Sequence, residues 1–340
     1  MNSVEFETTL YRMRQEHYRR RKVDPILEGF RPVGGMLGDF CVVEHQGRYH
    51  FFAIERRLQE GTPFYPGHEV FLCHASTADF INWDVHDLVL WVRPNSWEEA
   101  HIWAPFVLRH KRRYVMAYTG VNRHGSQDIG LAFSDNLFDW ERATGNPISP
   151  CDTRAWASWR RDAIASCRDP HLLVHQGRIY MTYTANTRDG ASCIALASTT
   201  DFVTWNDHGP ILVGPDSGYE PVLAGGHPQG QLESSNLIYT RNTWYLLVQE
   251  SRRGTSIKNW IYASETMDHF DYGSGREFWP GAYTVEVVRD RGDQSLLACT
   301  GRIRFGVVDW AQEQPAACFV PSIEELAGWL PDAPSEVERE

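Results

Sequence analysis

A layout of short strands recurs along this chain, and it constrains the fold more than any other feature of the sequence. Each cycle contains a hairpin, then a strand ending in Ala-Ser or Phe-Ser, then an aromatic corner. The corners fall at Trp83, Trp140, Trp205 and Tyr272, which are 57, 65 and 67 residues apart. The hairpins are GDFCVVEHQGRYHFFAIERR (38–57), HIWAPFVLRHKRRYVMAYTG (101–120), CRDPHLLVHQGRIYMTYTA (167–185) and ESSNLIYTRNTWYLLVQES (233–251). Apolar and polar residues alternate on either side of tight turns such as Gln46-Gly47 and Gln176-Gly177, as in antiparallel pairs with one buried face. Four strands per unit at such a period predict a β-propeller. A fifth, weaker unit is carried by TVEVVRD (284–290), SLLACTG (295–301) and RFGVVDW (304–310). The expected fold is all-β, a five-bladed propeller, with strand content near the N-terminus helping to close the ring.

The ends of the chain read differently. Residues 2 to 22 predict a helix capped by Asn2, with Leu10, Tyr11, Met13 and Tyr18 as a loose apolar stripe. Arg19-Arg20-Arg21-Lys22 then read as solvated cations at its C-terminus, where the helix dipole favours them. After Pro321, Ser322 with Glu325 three places on predicts a short capped helix. The expected division is an N-terminal extension over 1–33, a propeller over 34–320, and a C-terminal helix and tail over 321–340, frayed from Ser335 to Glu340.

Composition narrows the partners. Forty-four acidic against 33 basic residues give a net charge of −11, which argues against nucleic acid, since phosphate binding needs clustered positive charge. Thirteen Trp and 14 Tyr suit both strands and the stacking of rings on sugars. The seven cysteines are scattered with no Cys-x-x-Cys pair, so neither a disulfide framework nor a zinc knuckle is indicated. No other metal-ligand spacing stands out, and no cofactor is expected. With no apolar leader and no run approaching a membrane span, the expectation is a cytoplasmic protein with reduced thiols. Oligomeric state is left open.

Inner strands of a propeller converge on its axis, and acids near their starts can meet there. Asp39, Asp169 and Glu233 stand at such places, separated by 130 and 64 residues, about two cycles and one. The second cycle has Ala104-Pro105 instead. Charge before a buried hairpin is expensive unless something uses it. Three convergent carboxyls suit glycosidic bond cleavage: one holds a proton for the leaving oxygen, another attacks the anomeric carbon or activates water, and a third steadies the developing positive charge. Crowding raises the pKa of the group that must stay protonated. Arg168 is the expected ion-pair partner of Asp169 and a substrate contact. Further candidates for lining a sugar pocket are His101, Trp103, Trp159, Trp260 and Asn236. The long loop from Pro150 to Ala165, with Trp156 and Trp159, is a natural wall. As lone histidines, His101 and His227 also suit a hydrogen-bonded structural role.

These residues resemble a known group. Arg168-Asp169-Pro170 matches the Arg-Asp-Pro step of the invertases and levanases of glycoside hydrolase family 32. GRYHFFA (47–53) and GHEVFLCHASTADFINWDVHDLVL (67–90) are similar to that family's first blade. HIWAPFVLRHKRRYVMAYTG is similar to the second blade of the family 43 arabinanases. The resemblance covers roughly residues 34 to 281 in pieces. It implies a five-bladed propeller hydrolase of furanosides, fructofuranosides preferred, acting on a small oligosaccharide. Asp39 would be the nucleophile or general base, Asp169 the transition-state stabiliser and Glu233 the general acid/base. Two departures stand out: Gly38-Asp39-Phe40-Cys41 replaces Asn-Asp-Pro-Asn-Gly, and Ser234 follows Glu233 in place of Cys. An arabinofuranosidase or xylosidase, a transferase or phosphorylase on the same scaffold, and a non-catalytic binding propeller are the alternative readings.

Overall fold

Five antiparallel meanders succeed one another around an axis, one for each cycle of the sequence; four are four-stranded, and the first carries two further short strands. The computed structural model describes residues 3–33, 35–57, 68–215, 231–250 and 257–332. The innermost strands are Gly35–His45, His101–His110, Cys167–His175, Leu232–Thr240 and Val285–Asp290. Each touches the next, and the last touches the first, so the ring is closed. The five-bladed propeller expected from the repeat is therefore the fold. Blades 2 to 5 are each built from consecutive strands, while blade 1 adds Arg20–Lys22, from before its innermost strand, to its outer edge. Closure comes from packing of blade 5 on blade 1, from isolated bridges between Leu37 and Gly301 and between Phe30 and Ile303, and from Thr300 Oγ1 donating to the Leu37 carbonyl at 2.7 Å.

Third strands such as Ser192–Thr199, SCIALAST, are buried along their whole length. Blades cover both faces of such a strand, so its small and apolar residues run on without polar alternation.

The corners have a local chemical cause. In blade 1, Thr77 Oγ1 accepts from Phe80 N at 2.8 Å, and Asp79 Oδ1 accepts from Ile81 N at 2.9 Å and Asn82 N at 2.6 Å. Phe80 takes a left-handed φ of 61°, and Trp83 Nε1 donates to its carbonyl at 2.9 Å. Ser134, Asn136, Leu137 and Trp140 repeat this in blade 2. In blade 3, Thr199 accepts from Phe202 and Asp201 from Val203 and Thr204, ahead of Trp205. Short side chains that accept from the backbone two and three residues on are what turns of this kind require. In blade 4 the same six-residue spacing runs from Ser264, which accepts from Thr266 N at 3.2 Å, to Phe270, a buried ring 65 residues after Trp205. Tyr272, expected at this corner, instead lies in a 3-10 turn and donates to Glu250 Oε1 at 2.6 Å.

The N-terminal helix is Ser3–Tyr18, shorter than expected. Met13 and Tyr18 of the expected stripe are exposed, and the buried face is Glu7, Tyr11 and Gln15. Tyr11 packs on Phe71 with ring centroids 4.8 Å apart, and Arg14 pairs with Glu55 at 2.8 Å. Arg20–Lys22 is not a helix end but an edge strand, Arg20 opposite Asp84 and Lys22 opposite Asn82. Charged side chains on an outermost strand discourage further pairing. Ser322 Oγ caps Ile323–Ala327 by accepting from Glu325 N at 3.2 Å, and the Trp329 carbonyl accepts from Tyr49 Oη at 2.7 Å. No helix among the described residues is long and apolar enough to cross a membrane. The Asn2 cap, His227 and the tail from Ser335 lie outside the described residues.

Candidate active site

Four of the five innermost strands carry a β-bulge near the same end. Pairing with the second strand skips between Leu37 and Phe40, Trp103 and Phe106, Arg168 and His171, and Glu233 and Asn236. The bulges begin at Gly38, Ala104, Asp169 and Ser234, at intervals of 66, 65 and 65 residues. Ala104, Asp169 and Ser234 have φ of 42°, 56° and 51°. Such bulges bend the strand and re-aim side chains, and left-handed backbone at non-glycine residues is held only where the surroundings impose it.

Residues at the bulges and from blade 5 enclose one axial cavity, lined by Asp39, Ala104, Asp169, Ser234, Thr284 and Glu286 with their neighbours. Asp39 Oδ1 accepts from Thr284 Oγ1 at 2.8 Å and from Ser234 Oγ at 3.4 Å. Asp169 Oδ2 accepts from Ser234 N at 3.2 Å and pairs with Arg168 Nε at 3.3 Å. The same guanidinium reaches Glu233 Oε2 at 3.1 Å and also donates to Gln127 Oε1 and Ser166 Oγ, each at 3.1 Å. Gln249 Nε2 donates to Glu233 Oε1 at 3.0 Å, while Gln249 Oε1 accepts from Thr284 N at 2.7 Å. Ser234 thus joins Asp39 to Asp169, and Arg168 joins Asp169 to Glu233.

Burial sets the electrostatics. It pushes the Asp169 carboxyl up to about 7; Arg168 counteracts this, and Asp39 and Glu233 add to it. Burial also raises Asp39, against the pull of Arg56 and with a push from Glu233. Glu286, on the blade 5 strand, is raised well above the ordinary carboxylate range by burial, which Asn236 opposes by donating to it. Acids that cannot all ionise together are suited to holding and passing a proton.

The sugar-contact candidates are distributed more widely. His101 Nδ1 bonds the His68 carbonyl at 2.8 Å, and its ring stacks on Trp103 at 5.2 Å. Trp159 Nε1 donates to the Gln127 carbonyl at 2.7 Å, and Trp156 Nε1 to Asp207 at 2.9 Å. Trp260 lies on the third strand of blade 4, opposite Val248. Asn236 is buried, with Nδ2 donating to the Val285 carbonyl at 2.9 Å. None of these lines the axial cavity. Arg56, Glu69, Gln249, Thr284 and Glu286 escaped the sequence reading. Burial raises Glu69, but Arg56 at 2.6 Å and His68 outweigh it and bring that carboxyl to about 2. The one available signal for blade 5 was Thr284-Val285-Glu286-Val287, whose alternation sets an acid among valines.

Residues 37–221, more than half of the chain, match the family model "Glycosyl hydrolases family 32 N-terminal domain". The chain belongs to glycosyl hydrolase family 32. Sucrose-6-phosphate hydrolase of Bacillus subtilis is 26% identical over 186 residues, 53% of this chain. The aligned part spans only about a third (35%) of that relative's own length. A family 32 β-fructofuranosidase of Bombyx mori superposes with a TM-score of 0.66 at 14% identity, over 95% of this chain and 69% of that one. An exo-1,5-α-L-arabinanase from a bovine ruminal metagenomic library superposes with a TM-score of 0.59 at 16% identity, over 84% and 98%. At these identities the structural likenesses speak for the propeller alone. Membership in family 32 agrees with the Arg168-Asp169-Pro170 step, whose Asp169 opens a bulge, and with the first-blade hairpin, which carries Asp39.

Proposed function

We propose that this protein is a glycoside hydrolase that removes a terminal β-fructofuranosyl group from a small oligosaccharide of the sucrose type. The observation that carries the reading is the linkage of Asp39 to Asp169 through Ser234, and of Asp169 to Glu233 through Arg168, beside an axial cavity that Asp39 and Asp169 line and Glu233 does not. Family membership and the activity named for the Bacillus subtilis relative support the choice of sugar.

In this reading Asp39 attacks the anomeric carbon as Glu233 gives its proton to the departing glycosidic oxygen. The C–O bond to the leaving sugar breaks, and a fructosyl ester forms on Asp39. Water then attacks that carbon, Glu233 takes a water proton, and the ester bond breaks to free fructose and restore both carboxyls. Asp169 accepts from substrate hydroxyls and offsets charge growing at the ring. Thr284, through its 2.8 Å bond, fixes the Asp39 rotamer, and Gln249 holds both Thr284 and Glu233 in place. Residues 34–320 form the catalytic unit, with the two terminal segments as extensions. A cytoplasmic setting accords with seven free thiols, and no second protein or nucleic acid is needed for the reaction.

Sugar release from sucrose, sucrose 6-phosphate and an aryl α-L-arabinofuranoside tests this directly. Fructose from a fructoside substrate, lost in Asp39→Asn and Glu233→Gln, is the expected result. Release from the arabinofuranoside alone, or unchanged rates in both variants, would overturn it.

A further inference from the structure

We propose that His50, His74 and His86 form a binding site for one divalent transition-metal ion, best suited to zinc, that ties three parts of blade 1 together. His50 lies on the second strand and His74 on the third, and His86 follows the fourth. One ligand-capable nitrogen from each lies within 4.8 Å of the others. Imidazole alone, without thiolate or carboxylate, suits zinc, copper and nickel better than calcium or magnesium.

Four-coordinate zinc with Zn–N bonds of about 2.0–2.1 Å holds its ligand nitrogens roughly 3.3 Å apart. The His50 Nδ1 to His74 Nε2 contact is 2.9 Å, so a slight opening there and a modest convergence of the third ring reach that geometry.

A second observation points the same way. His74 is fully buried, and its Nδ1 has no hydrogen-bond partner. Its other nitrogen meets only another imidazole. Two buried imidazole nitrogens that face each other have only a weak mutual contact, and a cation between His50 Nδ1 and His74 Nε2 gives both a strong partner. The cluster is also braced from outside. Ser76 Oγ bonds His86 Nε2 at 2.8 Å and orients that ring, as outer partners of metal-binding histidines do. Phe52 stacks on His74 with centroids 4.3 Å apart. Arg48, whose charge would oppose a cation, bonds Ser76 and is itself offset by Asp84 at 2.5 Å. Phe138 packs on all three rings at 5.1 to 5.9 Å. It is 47% exposed, so the cluster lies one aromatic ring from the surface.

The test uses the whole chain, stripped with a chelator and titrated with zinc and with cobalt. Saturable uptake of one ion per chain is expected, with visible bands of low-coordinate cobalt. Zinc should also raise Tm, on the order of 4 °C at a hundredfold excess over Kd. His86→Gln, the most exposed of the three, should fold as judged by circular dichroism, bind at least about tenfold more weakly and lose the Tm rise. His74→Gln supplies the same readout from the buried side. Absence of saturable binding, or binding unchanged in His86→Gln, would overturn the assignment.

Discussion

Asp169→Asn should make the protein inactive and, above neutral pH, more stable. The Asp169 carboxyl is pushed up to about 7, against about 3.9 for an unfolded aspartate. The folded state therefore binds the proton more tightly than the unfolded one between those values. Stability contributed by that proton is present in full below about pH 4 and is lost as pH rises through 7. A difference of about 3 pH units corresponds to roughly 4 kcal/mol of cost for holding the carboxylate ionised at pH 8. An amide removes this cost but presents an NH2 group in place of the oxygen that pairs with Arg168 at 3.3 Å. Arg168 keeps Glu233, Gln127 and Ser166, so a net gain of about 1–3 kcal/mol remains, or roughly 2–5 °C in Tm. Urea melts of both proteins at pH 5 and pH 8 measure it. The gain should appear at pH 8 and be nearly absent at pH 5. Equal effects at both values, or destabilisation at pH 8, would refute the reasoning that burial strains this carboxylate.

Glu233→Gln should lower kcat by about 10²–10⁴ with little change in KM, since a proton donor acts in the transition state; steady-state kinetics on a fructoside decide. Burial raises the Asp39 carboxyl against the pull of Arg56, so the acid limb of kcat/KM should lie above the ordinary carboxylate range. Activity is lost as pH falls through that limb, and Arg56→Gln should move it to still higher pH; an unmoved limb would separate Asp39 from the rate. Asp79→Ala removes the acceptor of four bonds at the first corner and should cost about 1–2 kcal/mol by denaturant melts, without altering kcat. Ser322→Ala deletes the cap of the C-terminal helix and should cost about 0.5–1 kcal/mol.

The propeller was legible because its signals are local. Alternation sets the hairpins, and a Ser/Thr followed two places on by Asp/Asn sets the first three corners through bonds spanning two or three residues. Phe270 was missed for a related reason. Tyr272 is the more conspicuous aromatic, but the spacing from Ser264 places Phe270 at the corner, and that spacing becomes plain only when the Thr77, Ser134 and Thr199 bonds are seen. Arg20–Lys22 was misread as a helix end because pairing with Asn82–Asp84 is a long-range fact that three cations do not announce. The histidine cluster was hidden too. Residues 50, 74 and 86 come from separate strands, and no short motif links them.

The acids were found by their spacing, yet that spacing conceals a slip. Counted from the bulges, Asp39 is the second bulge residue, Asp169 the first, and Glu233 the residue before. In a regular strand, a shift by one residue turns a side chain to the opposite face. Acids at three successive phases would then not share one side. Each bulge inserts an unpaired residue and bends its strand, and the left-handed backbone at Asp169 and Ser234 turns neighbouring groups toward one another. This is how Ser234, one place after Glu233, offers its amide to Asp169 and its hydroxyl to Asp39. The second blade has a bulge of the same kind at Ala104-Pro105 and places no acid there. Bulge geometry is therefore common scaffolding, and the chemistry lies in which phase of each bulge carries a carboxyl.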